Sequence, residues 1–232
     1  MTEKKRPINQ FSTMALLIGE PARATILWKI LDGGMHSATE LAIVADLSAQ
    51  SASMHLSKLV NAGLLSVLKR GRLKYYQFNN ANVAYAIEAI STLMPKDQSM
   101  PHDNISDGNR IKYCRTCYDH LAGKVGVAIT DKLLSKKIIE LRSDAFAIPK
   151  RGVKWFDELG ISIPELEQRK RALARKCLDW SERRPHLAGS AGAALADKLF
   201  DLKWMQRSKH SRIVSITPLG EKKIFDLLGL VV

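Results

Sequence analysis

Between Ser37 and Asn79 the chain offers a short helix, a break, a second helix and a basic hairpin with no spare residues between them, and that order leaves few folds open. Ser37-Ala38-Thr39-Glu40 has the spacing of a capping box, in which a serine and a glutamate three positions on satisfy free amide groups at a helix start. Leu41, Val44 and Leu47 follow at helical spacing. Ser48 then breaks the run as a fresh N-cap, and Ala52, Leu56, Leu59 and Gly63 line one face of a second helix. The opposite face carries Gln50, Met54, Ser57, Lys58 and Asn61, with Ser51, Ser53 and His55 on its flanks.

Asn61-Ala62-Gly63 ends that helix, Leu64 to Leu68 reads as a strand, Lys69-Arg70-Gly71-Arg72 as a basic turn, and Leu73 to Phe78 as a returning strand with Lys74, Tyr75 and Tyr76. A polar helix beside a basic hairpin is the layout of a winged helix-turn-helix. Hydroxyl and amide side chains hydrogen-bond base edges in a major groove, while lysine and arginine meet phosphate. The expected partner is therefore double-stranded DNA. The expected contacts are Gln50, Ser51, Ser53, Met54, His55, Ser57 and Lys58 on the helix, with Lys69, Arg70, Arg72 and Lys74 on the wing.

Thr39-Glu40-Leu41-Ala42, His55-Leu56-Ser57-Lys58-Leu59, Ala62-Gly63-Leu64-Leu65 and Arg70-Gly71-Arg72 with Tyr75-Tyr76 together resemble the arsenical-resistance-repressor (ArsR) family of bacterial regulators, over roughly the first ninety residues. The resemblance implies a homodimer paired through the first and last helices of the domain, here Phe11 to Gly19 and Asn80 to Leu93. Phe11, Met14, Leu17 and Ile18 in one, and Val83, Ile87, Ile90 and Leu93 in the other, supply apolar faces for it. The family's familiar metal positions are not matched. Leu41 to Leu47 and Ser48 to Leu65 hold no cysteine, and Ala81 to Leu93 offers only Glu88.

At 232 residues the chain exceeds one such module. The expected organisation is a DNA-binding and dimerisation domain over 1–94, a connector rich in Pro, Asp, Asn and Ser over 95–110, and a C-terminal effector or sensor domain over 111–232. In that last part His120-Leu121-Ala122-Gly123 returns as His186-Leu187-Ala188-Gly189, 66 residues on, and Phe156-Asp157 returns as Phe225-Asp226 at an offset of 69. Two repeats result, about 111–163 and 177–232, each read as winged-helix-like: a small-residue helix, a hairpin, and a final helix ending at Gly. The fold class is thus mainly α with small β-hairpin wings. Longer members of the same family look similar in this half, through Arg115 to Gly123 and Cys177 to Gly189.

The formal charge of +13 favours a polyanionic partner, although residues 1–94 hold 10 basic and 6 acidic side chains and 111–232 hold 24 and 14. The clusters Arg169 to Lys176 and Arg207 to Arg212 read equally as solvated surface or as phosphate contacts. No long apolar run and no apolar signal segment is present, so a cytoplasmic protein without a membrane partner is expected. Three cysteines in such a chain are reduced thiols, ligands or sensors rather than a disulfide framework.

A regulator needs an input, and the densest set of capable side chains is Cys114, Cys117 and His120 with Cys177 and His186. Thiolate and imidazole are ligands of zinc and of softer ions, which makes a divalent or soft metal ion one reading. A Cys114–Cys117 disulfide, with the thiol acidified by Arg115 and a helix start, is another. A third is a small organic effector between the repeats, touching Tyr118, Asp179, Trp180 and Glu182, and a fourth is a core thiol with histidines bonded to backbone. No phosphate loop, Gly-x-Ser-x-Gly elbow or His-Glu-x-x-His pair points to an enzyme. The leading expectation is a ligand- or metal-responsive repressor on an inverted-repeat operator; the alternatives are a redox-sensing regulator and an architectural DNA-binding protein.

Overall fold

The computed structural model describes residues 7–94 and 106–232 except His210. They form two compact units, one running to Glu88 and the other from Ala89.

In the first unit α1 (Pro7–Gly19) and α2 (Pro21–Ile30) lead into a two-residue strand β1 (His36–Ser37), α3 (Ala38–Val44) and α4 (Ala49–Asn61). The capping box at Ser37 forms in both directions: Glu40 N–H donates to Ser37 Oγ, and Ser37 N–H donates to Glu40 Oε2 at 2.7 Å. Ser48 caps α4 by accepting from Ser51 N–H. Leu41, Leu56 and Leu59 turn inward with Ile26, Leu27 and Ile30 of α2, so the apolar stripes of two short helices close one core. Neither helix is long enough to persist without that packing.

β2 (Leu65–Arg70) and β3 (Leu73–Phe78) pair antiparallel from Leu65↔Phe78 to Arg70↔Leu73, and β1 joins the outer edge of β3. The ladder thus continues two residues beyond the strand end expected at Leu68, because Lys69 and Arg70 pair with Lys74 and Leu73. Only Gly71 and Arg72 remain as the turn, with Gly71 at φ +60°, a conformation glycine adopts without a Cβ penalty. α5 (Ala81–Ser91) puts Ala84 and Ile87 into the same core.

In the second unit α6 (Ser106–Tyr113) begins inside the segment expected as connector, whose residues 95–105 lie outside the described residues. There follow β4 (Arg115–Cys117), β5 (His120–Ala122), α7 (Gly123–Ser135), β6 (Glu140–Leu141), β7 (Phe146–Ala147), α8 (Lys150–Glu158) and α9 (Ile163–Glu167). The order hairpin, helix, hairpin, helix then recurs as β8 (Arg175–Leu178), β9 (Pro185–Ala188), α10 (Gly189–Asp201), β10 (Met205–Arg207), β11 (Val214–Ile216) and α11 (Pro218–Leu228). Each long helix is entered from a hairpin rather than from a tight helix-turn-helix corner.

The two copies interlock. α7 packs on β9 and α10 on β5, and Thr130 of α7 accepts the Leu187 N–H of β9 at 2.9 Å. Gly192 lets α10 lie close on its own β9 and on β5 of the other copy: a Cβ there would lie 2.4 Å from the Leu187 carbonyl oxygen and 3.4 Å from the His120 Cβ. The small-residue stripe of α10 therefore serves contact between helix and hairpin backbone. Phe156, Leu133, Leu195, Leu199 and Ile224 fill one core shared by both copies.

Candidate functional site

Two sets of side chains have chemistry to offer, one in each unit. On α4 the face away from the core is open. Gln50, Ser53, Met54, Ser57 and Lys58 are exposed and Ser51 is half-buried, while Ala52, Leu56 and Leu59 are covered. His55 departs from the rest. Its ring turns toward the α2 N-cap, where Nδ1 lies 3.2 Å from Glu20 Oε2, and its side chain is only 12 % exposed. Burial works to raise the Glu20 carboxyl, but hydrogen bonds from the Arg23 and Ala22 amides and the His55 and Arg23 charges hold it below its usual value. The position of His55 on the edge of the stripe groups it with the groove-facing set, whereas its side chain lies mostly covered beside Glu20.

On the wing Lys69, Arg70, Arg72 and Lys74 are all exposed along the hairpin tip. Helix, turn, helix and wing with these exposures define a winged helix-turn-helix protein. The chain belongs to the HTH-type transcriptional regulators. It is 37 % identical over 205 residues, 88 % of this chain and 91 % of the other, to the uncharacterized HTH-type transcriptional regulator YdfF of Bacillus subtilis (strain 168). As a DNA-binding transcriptional regulator it is not an enzyme. No protein-family model matches. Among solved structures, HlyU from Vibrio cholerae N16961 is 25 % identical, covering 38 % of this chain and 96 % of that one with a TM-score of 0.35. The homodimeric winged helix-turn-helix domain Mb0332 from Mycobacterium bovis, a possible ArsR-family regulator, is 20 % identical, covering 40 % and 87 % with a TM-score of 0.34.

The second set lies in the C-terminal unit, on the first hairpin of each repeat. Cys117 and His120 are cross-strand partners on β4 and β5, and Cys177 and His186 are cross-strand partners on β8 and β9. The two hairpins bring all four together: one ligand atom from each lies within 4.8 Å of the others, and all four residues are buried. The two sulfurs are 3.9 Å apart and the two Nε2 atoms 3.1 Å apart. Such a group can hold a metal ion.

Behind each histidine stands a carboxylate. His186 Nδ1 is 3.3 Å from Asp179 Oδ2, and His120 Nδ1 is 3.2 Å from Asp119 Oδ1. Each carboxylate is backed by an arginine: Arg115 Nη2 donates to Asp179 at 3.0 Å, and Arg171 Nη1 to Asp119 at 2.6 Å. Asp179 also accepts from Gly123 N–H, Ser181 N–H and Oγ–H, and Glu182 N–H. Burial works to raise both carboxyls. Contacts with the histidine and arginine beside each overcome it and hold both well below the usual carboxylate range. Burial likewise works to lower His186, but Asp179 and Cys117 beside it raise its affinity for a proton.

Cys114 stands apart from this group. It is fully buried in the apolar core with Leu121 and Val125, and burial, outweighing the charge of Arg115, pushes its thiol up to about 12. The acidified Cys114 expected from sequence is thus replaced by an inert one, because the residues around it are a hairpin and core rather than a helix start. The sulfur facing Cys117 is that of Cys177. Among the residues expected to contact an organic effector, Tyr118 is 64 % exposed at a hairpin tip with φ +61°, and the ring of Trp180 lies 4.7 Å from the Arg115 guanidinium. Asp179 is fully engaged as described, and Glu182 is half-buried with its N–H capping Asp179.

The roles of Asp119, Arg115 and Arg171 behind the histidines are not read from the sequence, where Arg115 is expected to acidify a thiol and Arg171 belongs to a basic cluster, although Cys-x-Asp occurs twice, at Cys117 and at Cys177. Several cations of the basic clusters are also spent internally: Arg171 on Asp119, Lys176 on the Ser143 carbonyl, and Arg207 on Asp197 and over the Phe200 ring.

Proposed function

We propose that the chain is an ArsR-type repressor of the cytoplasm that binds an inverted-repeat operator as a homodimer and leaves it when its C-terminal half receives a signal. The observation that carries this reading is the exposed polar face of α4 beside a wing tip bearing four cations. Gln50 and Ser51 lie in the first turn of α4, the end of a recognition helix that reaches base edges, and the wing cations meet the flanking phosphates. Two-fold pairing places half-sites about one helical turn, roughly 34–36 Å, apart. Dimerisation fits the apolar residues left uncovered on α1 (Ile8, Phe11 and Leu16) and on α5 (Tyr85 and Ile90). Met14, Leu17, Ile18, Val83 and Ile87 instead pack on the domain's own core.

The signal fits a divalent or soft metal ion at Cys117, His120, Cys177 and His186. A second reading is supported by the 3.9 Å between the Cys117 and Cys177 sulfurs: a two-electron oxidant of the peroxide class takes the electrons and protons of both thiols and leaves a disulfide joining the two repeats in place of the ion. Fluorescence anisotropy with the chain's own promoter, against an excess of unrelated duplex, tests the assignment. The expected result is retention on the promoter fragment and loss of that affinity when metal occupancy changes. Equal affinity for both duplexes identifies an architectural protein instead, and operator affinity indifferent to metal and to oxidant removes the C-terminal input.

A further inference from the structure

We infer that the buried Cys/His group is a closed four-coordinate site for a zinc-like divalent ion that ties the two C-terminal repeats together, with Asp119 and Asp179 as the positioning residues that aim its histidines. This rests on the metal reading above and deepens it to an ion class, a coordination geometry and an outer shell.

Distances argue first. Zinc–sulfur bonds of about 2.3 Å and zinc–nitrogen bonds of about 2.0–2.1 Å, set at tetrahedral angles, separate two sulfurs by roughly 3.8 Å and two nitrogens by roughly 3.3 Å. The chain holds its sulfurs at 3.9 Å and its Nε2 atoms at 3.1 Å. Both like pairs therefore match one ion, and the sulfur–nitrogen pairs, all within 4.8 Å against roughly 3.5 Å in a tetrahedral zinc site, close by up to about an ångström when it binds.

Charge argues second. Two thiolates and two neutral imidazoles balance a dication, whereas a monocation leaves a net negative charge in a buried site, which low dielectric penalises. The outer shell is balanced too, Asp179 against Arg115 and Asp119 against Arg171. Four protein donors, all buried, leave no open position for water or substrate, the mark of a tie rather than of a catalytic centre.

The outer shell argues third. A metal-bound imidazole offers one nitrogen to the ion and the other to a carboxylate or carbonyl, which fixes its tautomer and ring plane. Here both Nε2 atoms point at each other across the site and both Nδ1 atoms point away, each at a carboxylate. This duplicated arrangement comes from both repeats: each Asp stands two residues after its Cys, although the hairpin turns differ in length. His120 is thereby oriented by its own neighbour, and His186 by a carboxylate held at the turn of β8 and β9 and anchored to the Gly123 amide of the other repeat.

The test uses the full chain, stripped with chelator and reloaded with Zn2+ or Co2+ as probe. X-ray absorption on the zinc form is expected to show two sulfur and two nitrogen neighbours, and the cobalt form to show tetrahedral visible absorption with thiolate charge transfer. Cys114→Ser should leave both signatures and one ion per chain. Asp119→Asn, at a carboxylate 30 % exposed, should weaken zinc binding 10–100-fold while the melting midpoint of the stripped protein stays as in the wild type. Asp119→Glu should recover part of that loss. Cys177→Ser should lose the site, and if that variant does not fold, the wild-type sulfur count carries the decision. An ion bound through three sulfurs or through oxygen, or an affinity indifferent to Asp119→Asn, overturns this inference and leaves the metal reading standing. Failure of the stripped, folded chain to take up either ion overturns both.

Discussion

Asp179 is the residue whose loss should be felt most widely. Its carboxylate is fully buried, pairs with a guanidinium that is 1 % exposed, and caps the amides of Gly123, Ser181 and Glu182. Asp179→Ala removes the countercharge from Arg115 and strands those three donors. Breaking a buried pair from one side costs about 3–5 kcal/mol, because the remaining charge stays desolvated. For a unit running from Ala89 to Val232, each kcal/mol corresponds to about 2–4 °C in melting midpoint, so a fall of roughly 6–20 °C is expected. The assay is calorimetry of the metal-stripped chain, which separates this loss from any loss of ion binding. The double variant Arg115→Met/Asp179→Leu should regain only the part owed to the orphaned charge, since the Gly123, Ser181 and Glu182 amides still lack their acceptor. A single-variant cost below about 1 kcal/mol, or a double variant no better than the single, would show that Asp179 is not the hub its contacts describe.

Three further outcomes follow from the same geometry. Arg70→Ala and Arg72→Ala should each weaken binding to every duplex and lower the salt slope by about 0.9 per lost phosphate contact, whereas Gln50→Ala should flatten preference among operator variants; salt titrations of anisotropy read both effects. Cys114 should resist alkylation at pH 8 in the folded chain, since its thiol ionises only near pH 12, and mass spectrometry after iodoacetamide would show otherwise if it were accessible and acidic. Gly192→Ala drives a Cβ to 2.4 Å from the Leu187 carbonyl oxygen and 3.4 Å from the His120 Cβ, so denaturant melts should show a loss of about 1–3 kcal/mol. Gly19→Ala, with nothing within 4 Å, is its neutral control.

Local signals account for most of what could be read in advance. The caps at Ser37 and Ser48, the inward set of Ala52, Leu56 and Leu59, and the basic turn at Gly71 are each fixed by residues a few positions apart, and each stands in the structure where those residues put it. The C-terminal cluster depends on longer-range facts. Cys117 and His120 face one another only because a two-residue turn puts them in cross-strand register, whereas Cys177 and His186 do so across a six-residue turn. The repeat aligns at 66 residues on its histidines and at 60 on its Cys-x-Asp motifs, so no single offset superposes both. The pairing of Cys117 with Cys177, and the exclusion of Cys114, follow from interlocking of the two copies, which no local pattern encodes. His55 shows the same limit on a smaller scale: helical phase places its Cβ, while its ring lies beside Glu20, the N-cap of α2, far off in sequence.

The central claim is that the outer face of α4 enters a DNA groove. All three native cysteines are buried, so a single exposed thiol introduced by Ser53→Cys can carry a tethered DNA-cleaving iron chelate in the otherwise intact chain. Strand cleavage is expected to centre in two major-groove segments about one helical turn apart on the operator. Operator binding at wild-type affinity without cleavage at those segments would contradict it.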